Sequence, residues 1–414
     1  MTSFILGRGK NFCRSCDSPD LFSALDLGSL PIANELWKNV QVSSEIFPLH
    51  LRICKSCGLG QVEDVVTPSR LFRDYRYLSS VSSSFIEHAK DFVDSMLASN
   101  VVTQEDWVLE VASNDGYLLQ HFIEKGIDVL GIEPAENVAK IAVERGIPTV
   151  SDFFGASLAS AIQKERGYPK LIIANNVMAH VPDIQDFVAG LAEISGPNTL
   201  ISIENPSLIN LLKANQFDTI YHEHYSYLTA NAVKHIAESF GLELFEVESV
   251  ATHGGSNRYW LRPKINNGEI EAVQEVLEKE IQEGLLSEEL WQDFANRIQA
   301  NLLAFHTWVK EKYESGTIVC GFGAAAKAST LLNAARIENN WIACIADTSN
   351  EKQGRFMPAL GIPIVTPAKM FEMLPSEIIV FPWNIKDEIA NQIRMNLGTK
   401  INVWQAVPHL EIIS

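Results

Sequence analysis

Between Asp106 and Gly146 the sequence DWVLEVASNDGYLLQHFIEKGIDVLGIEPAENVAKIAVERG alternates short apolar runs with stretches whose apolar residues recur at helical spacing. Short apolar runs bounded by turn residues read as buried strands, and their alternation with helices predicts a doubly wound parallel α/β sheet. A third strand should end before Asp152, a fourth is KLIIANNVMAHVPD and a fifth is TLISIEN. Ahead of this pattern, residues 68–100 read as helical, with a serine-rich joint LSSVSSS. Behind it, helical spacing resumes near Ala230, and HGGSNRYWLRPK (253–264) reads as a glycine-hinged strand. A long stretch to about residue 316 follows, its Leu, Ile and Val at helical spacing with Glu and Lys between, which reads as helix with a solvated charged face. TIVCGFGAAAKASTLLNAA then repeats the order of strand, glycine turn and helix.

Length turns these elements into modules. The chain has 414 residues, 46% hydrophobic, beyond the ~250–300 at which single cores split. The pattern divides it at 1–67, 68–247 and 248–414. A formal net charge of -18 argues against broad nucleic-acid binding, which needs a basic surface. MTSFILGRGK holds too short an apolar run for a secretory signal, and no stretch approaches the ~20 apolar residues of a membrane span, so a cytoplasmic protein is expected. The sequence leaves the oligomeric state open, a monomer included.

Cysteine spacing adds a metal. Cys13 and Cys16, in CRSC, pair naturally with Cys54 and Cys57, in CKSC. Two such knuckles offer four thiolates in tetrahedral array, which suits a structural Zn²⁺ with no open position. The intervening segment, with LFSALDLGSLPIAN and SEIFPLHLRI, reads as short strands and loops with little core of its own, so metal would supply much of its folding free energy. Cys320 and Cys344 lie in apolar strands and read as small buried residues.

The central sheet suggests a ligand. The turn after its first strand, Glu110 to Gly116 with Ser113 and Asn114, lacks the G-x-G-x-x-G spacing of a dinucleotide loop. Glu133, ending the second strand, can accept hydrogen bonds from both hydroxyls of a ribose. Asp152 and Phe153 could meet an adenine by hydrogen bond and ring contact, while Asn175, Asn176 and His180 fall on the same ligand-facing edge. A ribose without phosphates at this edge suggests S-adenosylmethionine. Farther on, Gly321-Phe-Gly323 with Ala326 at the third glycine position, and Asp347 after the next strand, leave a nicotinamide site as a rival.

TIYHEHYSYL (219–228) gathers His222, Glu223, His224 and Tyr221 in a loop or short strand. The residues alone permit a metal site, a satisfied buried network or a general base.

CRSC…CKSCGLG, EVASNDGYLL, GIEPAENVA, ANNVMAHVPD, TIYHEHYSYL, HGGSNR and GFGAAAKASTLLN, in this order from about residue 10 to the end, resemble the deoxysugar C-methyltransferases. The resemblance implies a zinc-binding N-terminal domain, a central Rossmann-like S-adenosylmethionine domain and a C-terminal Rossmann-like domain that contributes to nucleotide-sugar binding. It implies a TDP- or GDP-linked 4-keto sugar as substrate, methylated at C3 through an enolate. In the family's Ile-Tyr-His-Glu-His motif the second histidine is the base, which carries over to His224, with Glu223 orienting it and His222 as scaffold. Tyr221 and Tyr75 then steady the enolate oxygen, and Lys327, near a helix N-terminus, suits a phosphate.

Overall fold

The computed structural model describes residues 6–40, 44–72, 78–81, 83–265, 270–398 and 401–413. The apolar runs of the central region pair as a seven-stranded sheet. Its strands, from one edge to the other, are Leu242–Val250, Ser256–Pro263, Leu200–Pro206, Leu171–Asn175, Trp107–Val111, Asp128–Ile132 and Thr149–Val150. The five from Leu200–Pro206 to Thr149–Val150 are parallel, and Ser256–Pro263 runs antiparallel to both of its neighbours. Successive side chains on a strand face opposite ways. Leu109 and Val111 therefore join Ile132, Ile172 and Ile203 in one core layer, while Val108, Val129 and Ile173 join Leu119 and Phe122 in the other. Strand order reverses beside Trp107–Val111, with the second strand on one flank and the fourth on the other. Such a reversal opens a crevice at the strand C-termini.

This sheet belongs to one of two compact units, formed by Met1–Leu21, Ile53–Leu208 and Tyr225–Leu286. The second comprises Phe22–Arg52, Ile209–His224 and Ser287–Ser414. In the second, Ile364–Val365, Ile345–Ala346, Val319–Phe322, Glu377–Val380, Asn402–Gln405 and Glu411–Ile412 lie side by side, parallel except for the last. Strand order again reverses beside the first of these in sequence, Val319–Phe322.

The long charged stretch is two helices rather than one, Glu271–Gln282 and Glu288–Glu314. Gly284, at φ +102°, turns the chain between them. Ser287 then caps the second helix by accepting from the Leu290 amide at 3.3 Å. That helix buries Trp291, Phe294, Ile298, Leu302, Phe305 and Val309, a single stripe at spacings of three and four that leaves its charges to solvent.

The cysteine knuckles close in the first unit. Gly58, at φ +75°, lets the second turn curl, with its amide 2.8 Å from the Cys54 carbonyl. All four sulfurs lie within 4.8 Å of one another, Cys13 to Cys57 at 3.5 Å and Cys16 to Cys54 at 3.6 Å. Metal–sulfur bonds of about 2.3 Å in a tetrahedron put sulfurs about 3.8 Å apart, so the donor set fits Zn²⁺. A disulfide would need sulfurs about 2.05 Å apart. Arg14, between the first two ligands, is fully buried. Its guanidinium donates to Asp64 Oδ1 at 2.9 Å, the Val62 carbonyl at 2.5 Å and the Pro182 carbonyl at 2.9 Å. Gln185 reaches back to the Ser15 carbonyl and Asp17, each at 3.0 Å. The knuckle is thus sewn to the loop that follows the fourth parallel strand.

Metal analysis should find one zinc per chain, and Cys57→Ser should lose it and lower the melting temperature by about 10 °C or more. A zinc-free protein melting where the wild type melts would contradict a structural role for the metal.

Candidate active site

Three residues in left-handed conformation, Ala112 (φ +57°), Asn114 (φ +51°) and Gly116 (φ +79°), curl the chain over the end of strand Trp107–Val111. The curl passes so close to the second strand that a Cβ on Gly131 would run into the Ser113 side chain. Glu133 lies beneath this turn, accepting from the Asn114 amide at 3.0 Å and the Ala135 amide at 2.8 Å. Burial pushes its carboxyl up to about 7, against the pull of those two bonds. Burial, then the neighbouring charges of Glu133 and Asp115, holds Glu110 well above the ordinary carboxylate range.

Ser113 Oγ, Glu110 Oε2 and Asn175 Oδ1 are buried without a hydrogen-bond partner among the described residues. Such atoms call for partners. An acceptor-rich edge with no basic side chain in its turn fits a ligand carrying a ribose diol and an ammonium group better than a phosphate. Asp152 is exposed at the end of the third strand, its carboxylate taking the Phe153 amide at 2.8 Å, with the Phe153 ring half-buried beside it. Asn176, at φ +54°, donates its amide to the Glu204 carbonyl at 2.6 Å. His180 ends the turn Met178–His180 with its ring edge-on to Phe72 at 5.6 Å between centroids. The turn after the first strand, Glu133, Asp152, Phe153, Asn175, Asn176 and His180 thus all fall on the C-terminal side of the parallel strands.

The histidine-rich loop belongs to the second unit as far as His224. His224 Nδ1 lies 3.0 Å from the Thr219 carbonyl, which can only accept, so Nδ1 carries the proton. Nε2 is then the basic nitrogen, and the Tyr221 hydroxyl donates to it at 2.9 Å. The two rings tilt at 33° with centroids 4.0 Å apart. Glu223 is fully buried, and its Oε1 accepts from both the amide and the side chain of Asn34 at 3.1 Å. Burial lifts its carboxyl to about 7. His222 points elsewhere, Nε2 towards the Phe47 and Pro48 carbonyls at 3.3 and 3.2 Å, and burial lowers its pKa to about 4. Among the described residues the four cysteines are the one cluster suited to a metal. Tyr75 lies outside the described residues.

Lys327 opens helix Ala326–Ala334, its ammonium 3.8 Å from the centroid of the Trp383 ring and 2.9 Å from Asn384 Oδ1. Asp347 stands where a dinucleotide fold would place its ribose-binding acid, but unlike Glu133 it is paired with a lysine as well as with two amides. It accepts from the Ala324 and Ser349 amides, each at 2.8 Å, and from Lys352 at 3.3 Å. Lys352 also donates to the Ala324 carbonyl at 3.0 Å, tying the acid to the glycine turn. This arrangement weighs against a nicotinamide site.

Several functional candidates carried little or no signal in sequence. Glu204, at the end of the fifth strand, accepts from Arg258 at 2.7 Å and from Thr252 at 2.9 Å, and meets His88 Nε2 at 3.0 Å. Burial opposes its charge, yet His88, Arg258 and Thr252 outweigh it and hold the carboxylate down at about 2. Thr219 acts through a backbone carbonyl, which no residue-type pattern reveals. Asp218, one position before TIYHEH, had a faint signal as a lone acid between Phe217 and Thr219.

Three family profiles match successive parts of the chain: a zinc binding domain over residues 13–72, a methyltransferase domain over 85–247 and a C-methyltransferase C-terminal domain over 251–408. C-methyltransferase NovU of Streptomyces niveus is 32% identical over 405 residues, spanning 97% of this chain and 96% of that protein. The ubiquinone biosynthesis O-methyltransferase of Acinetobacter baylyi is 22% identical over 172 residues, 38% of this chain and 72% of that protein. Among solved structures, magnesium protoporphyrin IX methyltransferase from Synechocystis, with bound SAH, aligns at 12% identity over 42% of this chain and 82% of that one, with a TM-score of 0.34. No helix among the described residues is long and apolar enough to cross a membrane. The end-to-end match to a C-methyltransferase, through a zinc module, a methyltransferase sheet and a C-terminal lobe, decides the assignment: the chain belongs to the family of S-adenosylmethionine-dependent C-methyltransferases.

Proposed function

We propose that this C-methyltransferase acts on a nucleotide-diphosphate 4-keto-deoxysugar, TDP- or GDP-linked, and methylates C3, the carbon beside the ketone. The substrate class rests on the motif order set out above. The observation that carries the mechanism is the His224 imidazole, whose Nδ1 hydrogen bonds to Thr219 while Nε2 is free of its own proton.

A C–H bond next to a ketone is weakly acidic, so carbon methylation there needs a base and a donor to the developing enolate oxygen. His224 Nε2 takes the proton. The imidazolium that forms keeps its Nδ1 bond to the Thr219 carbonyl, so the ring need not reorient. Tyr221 loses its acceptor at that moment, and its hydroxyl becomes the donor to the enolate oxygen, with Tyr75 assigned the same duty. Bound S-adenosylmethionine supplies an electrophilic methyl group that needs no activation by the protein. Glu133 accepts from the ribose hydroxyls through the lone pairs left by Asn114 and Ala135. Glu110 and Ser113 offer polar atoms to the remainder of the ligand, Asp152 and Phe153 flank its adenine, and Asn176 and His180 contact the sugar. Glu223 anchors the base loop to Asn34, and the Thr219 carbonyl orients the base. Lys327 has its charge answered by Asn384, Trp383 and Asp218, so we do not assign it the diphosphate.

In D₂O without methyl donor, a panel of TDP- and GDP-linked 4-keto-deoxysugars should include one that gains deuterium at C3, and S-adenosylmethionine should then add one methyl. His224→Asn should slow both by about 10²–10⁴-fold; undiminished exchange would overturn the base assignment.

Affinity for S-adenosylhomocysteine should rise with pH towards about 8. Burial keeps Glu133 protonated up to about 7, whereas the ribose hydroxyls require the carboxylate, so affinity falls by up to about tenfold per pH unit below that point. The ligand-free protein carries the opposite slope: a raised carboxyl pKa adds stability below the ordinary carboxylate pKa that is lost as pH rises through about 7. Isothermal titration of wild type and Glu133→Gln, which should bind weakly with a flat profile, checks the sign.

A further inference from the structure

Open parallel sheets take their ligands where strand order reverses, at the C-terminal ends of the strands. In the second unit that place lies between the ends of Val319–Phe322 and Glu377–Val380. It is bordered by Gly323 on one side and Trp383 on the other, and the protein fills it from within.

The turn Phe217–Thr219 packs against helix Ala326–Ala334, which starts just beyond the glycines. Asp218, 1% exposed, extends its carboxylate into the position. Its Oδ2 accepts from Trp383 Nε1 at 2.9 Å, across a separation of 165 residues. Lys327, seated on the Trp383 ring, supplies the compensating charge. Two residues on, the Ile220 carbonyl accepts from the Thr330 hydroxyl at 3.3 Å, a contact from the same helix. Thr219 is therefore bracketed: the residue before it is anchored by its side chain and the residue after it by its backbone. The turn itself is closed by the Thr219 amide and hydroxyl on the Gln216 carbonyl, at 3.1 and 2.7 Å. The Thr219 carbonyl is the group that fixes His224.

The glycines suit this arrangement. A Cβ on Gly321 would run into Phe381, and one on Gly323, at φ +88°, into Pro382. Both serve close packing of the protein against itself rather than the approach of a pyrophosphate.

We propose that Asp218 is a positioning residue for the catalytic base, a carboxylate of the protein's own chain seated in the ligand crevice of the second sheet, which fixes the Thr219 peptide and through it the tautomer of His224. The inference rests on the reading of His224 as base. Lys327 and Trp383 then serve as the socket for that carboxylate, and the C-terminal lobe contributes to catalysis by gripping the base loop. Asp218 touches no substrate in this scheme. Its loss should change the rate of proton abstraction and leave the binding of both ligands alone.

The test compares wild type, Asp218→Asn, Trp383→Phe and His224→Asn. Trp383→Phe removes the N–H donor and keeps an aromatic side chain beside Lys327, so it stays informative should Asp218→Asn fold poorly. With substrate, C3 deuterium exchange should lose about 10–100-fold in kcat in Asp218→Asn and Trp383→Phe, with KM and the affinity for S-adenosylhomocysteine at wild-type values. Without substrate, ¹⁵N spectra of the histidine rings, with the His224 signals identified by their absence in His224→Asn, should show Nδ1–H in wild type and a mixture of tautomers in both variants. Wild-type kcat and an unchanged tautomer in Trp383→Phe and in folded Asp218→Asn would overturn the proposal while leaving His224 as base. Full exchange in His224→Asn would instead sink the reading on which it rests.

Discussion

A parallel sheet whose strand order reverses cannot be covered at the reversal by the helices that cross its faces, and the gap at the strand ends has to be filled by something. This protein contains two such sheets and treats the gap in opposite ways. In the central sheet the turn from Glu110 to Gly116 is curled by three left-handed residues, and Ser113 Oγ, Glu110 Oε2 and Asn175 Oδ1 have no partner among the described residues. In the C-terminal sheet the glycines draw the walls together, and Asp218 with its turn lies at that place, Oδ2 bonded to Trp383 and Oδ1 buried without a partner among the described residues. The same topology thus carries an acceptor-rich turn at the reversal in one half and a loop of its own chain in the other.

The buried carboxylates follow the same division. Glu133 and Glu223 are pushed up to about 7 because burial outweighs a few hydrogen bonds from neutral amides. Asp218, with a tryptophan N–H and a lysine charge nearby, rises only to about 6. Glu204, held by Arg258, His88 and Thr252, is drawn down to about 2 in spite of its burial. Desolvation is similar in kind at all four, and the partners decide the outcome. The carboxyls nearest neutrality, Glu133 and Glu223, lie beneath the turn after the first strand and in the histidine-rich loop.

Much of this was legible in the sequence because it depends on local rules. Burial of Val108, Leu109 and their neighbours on both faces was written in the continuous apolar runs, the zinc site in the spacing of Cys13, Cys16, Cys54 and Cys57, and the acid at the end of the second strand in GIEPAEN. What escaped depends on distance or on the backbone. The acceptor that sets the tautomer of His224 is a peptide carbonyl, present at every residue and so without a sequence signature. Asp218 and Trp383 meet across 165 residues, beyond any periodicity, and the Glu204–His88–Arg258 cluster joins three separate elements. The long charged stretch concealed its break because a single glycine, Gly284, is tolerated within helices often enough that pattern alone does not end one there.

The seam between the first zinc knuckle and the loop after the fourth strand bears on how the protein could be re-engineered. Arg14 spends its donors on Asp64, Val62 and Pro182, and Gln185 returns two bonds to Ser15 and Asp17. Trimming the chain to its methyltransferase core would strip the covering from a loop that carries His180 and strand the Pro182 carbonyl without a donor. Chimeras that exchange this region should therefore move the knuckle and residues 180–185 together, as one cassette, even though more than a hundred residues separate them along the chain.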